Sequence, residues 1–415
     1  MDRGRRKLLV LTPAFPYPPA SGGDIRMFHL LRRLSSTFDV HLLPQAGGSS
    51  ERLIEDTGIT AVHVRDPSAV RPLRSWDPRQ WIRFWRHAPH GLSLDVDLEY
   101  ARALRRIVAT TGLHGVLIDH LYMMQYARFV GPLPVFYSAT DVETTKFARW
   151  YTGERLSSKR RLLHWAQRQA IGWHESRVGR RARVTFATSA VDRDALLRIN
   201  RTGRFVVVPN GVDLSYFRPR RRESFSKPPR VFFVGTMFYR PNFLAARFLA
   251  REVFPLIRKE IPDATCHIAG KTDDRDYSEL NRPETGVYMH GFVQDVRPYF
   301  EESQILVVPL SIGSGTRIKI LEAMATGTPV VSTTIGAEGL EYSRGEDILI
   351  ADSATDLAAS VVGLLRDREK AFRLGLAGRR LVEGKYSWDT SADVMRSEIA
   401  RVLEQEYGLP TSSAS

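Results

Sequence analysis

Two alternating periods of apolar and polar residues run along this chain, and together they predict its architecture. Lys7–Thr12 is a short apolar run leading into the loop Pro13–Gly23. A helix is expected from about Asp24, with Ile25, Phe28, Leu31 and Leu34 on one face at helical spacing. Further apolar runs stand at Val40–Leu43, Val62–Val64, Val116–Ile118, Val135–Tyr137, Val184–Ala187 and Phe205–Val208, most of them separated by helical stretches. That alternation predicts a parallel sheet covered on both faces, a doubly wound domain. Pro209-Asn-Gly-Val-Asp213 then reads as a turn, and Arg218–Pro229 is polar and rich in proline and arginine, as an inter-domain linker would be.

The pattern restarts beyond the linker. Val231–Val234, Cys266–Ala269, Val287–His290, Ile305–Val308, Val330–Ser332 and Ile348–Ile350 read as strands of a second parallel sheet. Two helical stretches follow from about Thr355 to Gly384, and a last one from Trp388 to about Tyr407. The expected organisation is an N-terminal domain over 1–208, a hinge over 209–229, a second domain over 230–385, a helix within 386–407 and a disordered tail over 408–415. The fold class is α/β, two doubly wound domains facing across a cleft, which places a ligand crevice at the carboxyl ends of both sheets.

Composition narrows the class. A chain of 415 residues exceeds what one core supports and suits two domains. Its 43% hydrophobic and 26% charged residues exclude a disordered or fibrous protein. The single cysteine, Cys266, excludes an internal disulfide or a cysteine-based zinc site and suits a reducing, cytoplasmic compartment. The apolar stretch Leu8–Leu11 ends at Pro13, too short for a signal sequence and right for a first strand. No run approaches the ~20 apolar residues of a spanning helix.

Formal net charge is +14, a field that attracts polyanions. Much of it lies between Arg149 and Arg183, where Arg155, Lys159, Arg160, Arg161, Arg168, Arg177, Arg180 and Arg181 interleave with Trp150, Tyr151, Leu162, Leu163, Trp165, Ile171 and Trp173. Two readings stay open: a surface helix with a solvated arginine face, or peripheral contact with an anionic membrane at its cytoplasmic side. A nucleic-acid-binding protein would need a recognisable binding motif, and none is present.

The most informative stretch is Pro309–Val331. It reads as a strand end, a glycine loop, a helix from about Thr316 to Thr326 stopped by Gly327, and another strand after Pro329. Arg317 and Lys319 fall in the first helical turn, where the macrodipole disfavours cations by roughly 0.3–1 kcal/mol each. Small loop residues, exposed N–H groups and two misplaced cations make an anion pocket.

These residues resemble the retaining glycosyltransferases of the two-Rossmann-domain (GT-B) architecture, specifically the GT4-like group. The fragments Val-Gly-Thr, Ile-Ala-Gly, His-Gly-Phe-Val-Gln-Asp-Val, Val-Val-Pro-Leu and Lys-Ile-Leu-Glu-Ala-Met-Ala-Thr-Gly-Thr-Pro-Val-Val follow the family's order between Val231 and Leu340. Pro209–Asp213 and Tyr386-Ser-Trp388 look like family features as well. The resemblance implies that the final helix crosses back onto the N-terminal domain. It gives Glu322 the ribose hydroxyls of the donor nucleotide, backbone groups of Phe292 and Val293 the base, and the amides of Gly22 and Gly23 the diphosphate. His120 matches a histidine near the donor sugar, and Gly235, Ser314, Gly315 and Thr316 fall in the donor-binding loops.

Departures from the family matter too. A glutamate expected eight positions before Glu322 is Ser314, so contacts to the donor sugar must differ. An arginine and a lysine expected after Val-Gly are replaced by Thr236 and, in looser register, Asn242. The diphosphate charge is therefore expected to be met by Arg317 and Lys319, with Arg240 as a third cation. Asp95-Val-Asp97 has the letters of a metal-binding motif but reads as a helix start, so no metal and no other cofactor is expected. The implied function is transfer of a hexose from a nucleotide donor, UDP- or GDP-linked by default, to a glycan, lipid-linked or small-molecule acceptor, with retention. A catalytically silent sugar-nucleotide binder and an epimerase on the same scaffold are the alternatives. Trp76, Trp81, Phe84 and Trp85 could stack on an acceptor or pack a helix.

Overall fold

The computed structural model describes residues 5–45, 47–63, 96–150, 157–219, 228–313 and 315–408. The aromatic segment around Trp76–Trp85, the Asp95 carboxylate, Ser314, Tyr151, Arg155 and residues 409–415 lie outside the described residues. Two compact units make up the chain: Met1–Pro209 with Ser391–Ser415, and Asn210–Thr390.

The first unit contains β1 (Lys7–Thr12), α1 (Gly22–Leu34), β2 (Asp39–Pro44), α2 (Ser50–Thr57), β3 (Ala61–Val62), α3 (Leu98–Thr111), β4 (Gly115–Asp119), a 3-10 segment (Leu121–Phe129), β5 (Val135–Ala139), α4 (Glu143–Trp150), α5 (Ser158–Gly179), β6 (Val184–Ala187), α6 (Ala190–Ile199) and β7 (Phe205–Val207). Its strands pair in the order β3-β2-β1-β4-β5-β6-β7, all parallel. Strands β4, β5 and β6 are buried at every position, as strands covered on both faces must be. The order reverses between β1 and β4, which makes their carboxyl ends the place for a ligand.

The second unit repeats the plan. It contains β8 (Arg230–Val234), α7 (Arg240–Phe248), a π-helical turn (Leu249–Val253), α8 (Phe254–Glu260), β9 (Thr265–Ala269), β10 (Val287–Met289), α9 (Arg297–Glu302), β11 (Ile305–Val308), α10 (Ile318–Ala325), β12 (Val330–Ser332), β13 (Leu349–Ile350), α11 (Ala354–Arg366) and α12 (Arg368–Lys385). Strand order is β10-β9-β8-β11-β12-β13, again all parallel, with the reversal between β8 and β11. One core of buried side chains, including Phe232, Phe233, Leu306, Leu321 and Val361, fills this unit. The last helix, α13 (Trp388–Tyr407), joins the first unit from Ser391 on, where Ala392, Met395, Ile399 and Leu403 pack with Leu8, Val10 and Phe136.

Both units carry a stacked imidazole pair on the same flank of the sheet. In the first, His41 on β2 meets His63 just past β3, Nδ1 to Nε2 at 3.1 Å. In the second, His267 on β9 meets His290 just past β10 at 2.8 Å. In each pair one ring donates an N–H to a ring nitrogen of the other. Burial first, and in the second pair Arg230 as well, pushes His41, His63, His267 and His290 below the usual histidine range, His267 to about 3.

Two sequence expectations shift at helix starts. Helix α1 begins at Gly22 rather than Asp24, because Ser21 and Asp24 form a reciprocal capping box ahead of it. Helix α10 begins at Ile318 rather than Thr316, because Arg317 is extended (φ −89°, ψ 99°) and acts as the N-cap. The glycine loop is therefore longer than expected, and only Lys319 lies within the first turn proper.

Candidate functional site

The second unit gathers the loops after β8, β9, β10 and β11. The Gly235 N–H donates to the Ala269 carbonyl at 2.9 Å, the Gly270 N–H to the Gly291 carbonyl at 2.7 Å, and the Met237 N–H to the Lys271 carbonyl at 2.8 Å. These bonds bring backbone so close that a Cβ on Gly270, at φ 151°, would lie 1.8 Å from the Gly235 carbonyl oxygen. A Cβ on Gly235 would lie 2.7 Å from Lys319 Nζ. The glycine thus leaves room for the ammonium over the end of β8.

Lys319 is half-buried. Its ammonium donates to Asn242 Oδ1 at 3.0 Å, and the Asn242 amide donates in turn to the Thr236 carbonyl at 3.1 Å. The ammonium also sits 4.4 Å from the centre of the Phe233 ring. Burial, with the like charge of Arg317 added and Glu322 opposing, lowers Lys319 to about 7. Burial likewise lifts Glu322 to about 7, against the pull of Lys319. Three positions apart on one helix thus stand a cation and a carboxyl that are each expensive to charge.

Arg317 folds its guanidinium back on the loop, donating to the Gly315 carbonyl and lying against Gly313. The Asn210 amide donates to the carbonyl of the buried Thr316 at 3.1 Å, fixing the loop just before the N-cap. The Thr316 hydroxyl is buried and finds no acceptor among the described residues. No acidic residue stands in the first turn of α10. Arg240 opens α7, whose first turn also lacks an acid, while Phe292 is exposed and Val293 is partly buried against the core.

In the first unit, the switch point between β1 and β4 holds a second cluster. Gly22 and Gly23 are the first two residues of α1, whose amides have no intrahelical acceptor. His120 follows β4 with φ 68° and ψ 146°, the sole non-glycine residue of positive φ among the described residues. Its Nδ1 meets Asp119 Oδ2 at 2.7 Å, and its Cε1 lies 3.7 Å from where a Cβ on Gly23 would stand. Asp119 is buried, accepts from Thr140 Oγ1 at 3.0 Å, and feels the buried Arg26, which donates to the carbonyls of Val208 and Pro209. Burial works against both charges, yet His120 is raised and Asp119 lowered because each stabilises the other.

The structure brings Gly235, Lys319, Arg317, Gly315 and Thr316 into one set of loops, with Glu322 a turn further along α10; it brings Gly22, Gly23 and His120 into another. Asp97 caps α3 through the amides of Glu99 and Tyr100. Sequence reasoning passed over Asn210, Arg26 and a buried carboxyl, Glu143, beside Lys146 and Asp141. Among these, Asn210 stood inside a quoted turn motif and Arg26 inside the first helix, but neither spacing signals a buried polar role. Among the described residues no group of three or more His, Cys, Asp or Glu side chains could hold a metal ion. No helix among them is long and apolar enough to cross a membrane.

Residues 228–367 match the family Glycosyl transferases group 1. A GDP-mannose-dependent α-(1-6)-phosphatidylinositol monomannoside mannosyltransferase of Mycobacterium tuberculosis is 24% identical over 269 residues, 57% of this chain and 69% of that protein. Across the first curated relatives, the chain spans between 36% and 69% of their length. Among solved structures, a sucrose-phosphate synthase from Thermosynechococcus elongatus superposes with a TM-score of 0.73 at 17% identity, over 97% of this chain and 100% of that one. Anabaena HepE in complex with UDP gives 0.67 at 15% identity, over 96% of this chain and 100% of that one. The match to the group 1 glycosyltransferases thus covers residues 228–367, and the solved structures share the fold along nearly the whole chain.

Proposed function

We propose that the protein transfers a hexose from a nucleoside diphosphate donor, with the donor held by the second unit. The observation that carries this reading is Lys319, an ammonium packed over the end of β8 beside Gly235 and depressed to about 7 by burial. A diphosphate at the glycine loop would restore its charge, and Arg317 and the amides before α10 would add to the same field. Position 242, where the family resemblance looks for a cation, holds the amide that receives Lys319. This geometry supports relocation of the diphosphate-binding charge onto α10.

When the anomeric C–O bond breaks, negative charge grows on the departing diphosphate. Fixed cations and amides aimed there stabilise the transition state more than the ground state. Glu322 would take the ribose diol, since a carboxylate offers acceptor sites for both hydroxyls. His120, raised and oriented by Asp119, is the histidine that the resemblance sets near the transferring sugar. Retention and independence from metal complete the reading; Asp97 is already engaged as a cap, which supports the latter.

The mycobacterial relative is GDP-mannose-dependent and acts on an inositol lipid, and HepE binds UDP, so GDP- and UDP-hexoses and inositol- or glycan-type acceptors come first. A thermal-shift screen of nucleoside diphosphates and their sugars tests the reading. Ligand at 100 times its Kd adds about 2.7 kcal/mol of stability. A donor hit followed by turnover with unchanged anomeric configuration, undiminished by excess chelator, is the expected result. No response to any nucleoside diphosphate would remove the proposal.

A further inference from the structure

We propose that the outward face of α5 docks the first unit onto the surface of an anionic lipid bilayer. The helix has two unlike sides. His164, Ile171 and Glu175 face inward: His164 stacks on Phe147 at 4.6 Å, Ile171 is buried, and Glu175 accepts from the Glu143 and Thr144 amides. On the opposite side stand Leu162, Trp165 and Trp173, exposed by 68%, 59% and 61%. Spacings of three, eight and eleven residues keep these three on one stripe of an α-helix. Two indoles and a leucine on one stripe, exposed among the described residues, are more than a solvated surface ordinarily concentrates.

The charges on α5 give the stripe its partner. Lys159, Arg160, Arg161, Arg168 and Arg177 are all exposed, and none forms an ion pair among the described residues. The helix has one acidic residue, Glu175, which is buried and turned to the amides of α4, so no anion of α5 offsets its exposed cations, of which Lys159, Arg161 and Arg177 fall nearest the stripe by helical spacing. Arg177 lies over the Trp173 ring at 5.2 Å, an aromatic and a cation presented together. Indoles that insert at the headgroup level, flanked by unpaired basic side chains, match the chemistry of an interfacial helix on acidic phospholipid. A protein partner would have to supply both an apolar groove and a ring of acids. A bilayer supplies both without a shaped surface. The inference stands apart from the proposed donor chemistry, since it uses no residue of either loop cluster.

The test is co-sedimentation of the full chain with vesicles of phosphatidylcholine alone and with about one third phosphatidylglycerol. The expected result is sedimentation with the acidic vesicles only, weakening as salt is raised. Lys159→Glu with Arg161→Glu should weaken it by about five-fold or more for each cation lost, and Trp165→Ala with Trp173→Ala should abolish stable binding. Circular dichroism and thermal unfolding of both variants separate loss of docking from loss of folding. Because these side chains are exposed, both variants should melt like the parent; a variant that unfolds is replaced by Lys159→Glu with Arg160→Glu. Equal binding to neutral vesicles, or binding indifferent to the α5 variants, overturns the proposal. So does a dimer, seen by light scattering, that dissociates in the tryptophan variant, or tighter retention by unstructured RNA than by acidic vesicles.

Discussion

Donor binding is expected to exchange protons with solvent in a direction that reverses with pH. Burial holds Lys319 at about 7, so at pH 8 about nine-tenths of it is neutral. A diphosphate beside it favours the ammonium, and binding at pH 8 should take up close to one proton. Glu322, also at about 7, is about nine-tenths protonated at pH 6. A ribose diol donating to it favours the carboxylate, so binding at pH 6 should release close to one proton. At pH 8 Glu322 is already ionised, and at pH 6 Lys319 is already charged, so the two effects separate and cross near pH 7. Titration calorimetry with a nucleotide sugar, whose diphosphate does not titrate near neutrality, reads this directly when repeated in buffers of different ionisation enthalpy. Lys319→Met should lose the uptake at pH 8 and keep the release at pH 6. Heats that do not depend on buffer at either pH would falsify the assignment of both groups.

Four further outcomes are expected. Arg317→Ala with Lys319→Ala should weaken nucleotide-sugar affinity at least tenfold, since charge-assisted bonds contribute about 1.5–3 kcal/mol each; unchanged affinity and turnover would end the relocation argument. Asp119→Asn should lower kcat with little change in donor KM and shift the acid limb of the pH–rate profile downward, because His120 loses the anion that raises it. Asn210→Ala removes one bond to the Thr316 carbonyl, about 1 kcal/mol, and should raise the donor KM several-fold while the melting temperature barely moves. Acid should destabilise the protein through the imidazole pairs. His267 is depressed to about 3 from 6.5, so the unfolded chain binds more protons between those values. Its contribution is complete above pH 6.5 and is lost as pH falls toward 3, at up to about 1.4 kcal/mol per pH unit. Denaturant melts of His267→Gln should show a shallower acid slope.

Much of this fold was legible because its strands are uniformly apolar and short. β6, β11 and β12 lie where their apolar runs stand, and α13 spans the stretch read for it. The short β3 was harder and begins one residue before its apolar run, since two residues of strand carry almost no periodicity. Helix starts slipped for a specific reason. Helical spacing locates a face, whereas the first turn is decided by capping, as at Ser21, or by one extended residue, as at Arg317. The cations of α10 were visible from their odd placement on the helix. Their partner Asn242 was visible only as a departure from a family pattern, and the buried Arg26 not at all, because a lone arginine in an amphipathic helix reads as surface.

The backbone at His120 carries one last implication. A left-handed φ with an extended ψ costs a side-chain-bearing residue about 1–3 kcal/mol, a cost that glycine escapes. Glycine and alanine at position 120 both forfeit the ring and leave the buried Asp119 without its imidazole, so both should be poorer catalysts, but only alanine keeps the conformational penalty. The glycine variant should therefore be the more stable of the two, and the gap between them measures the strain that the backbone holds in order to present a side chain there.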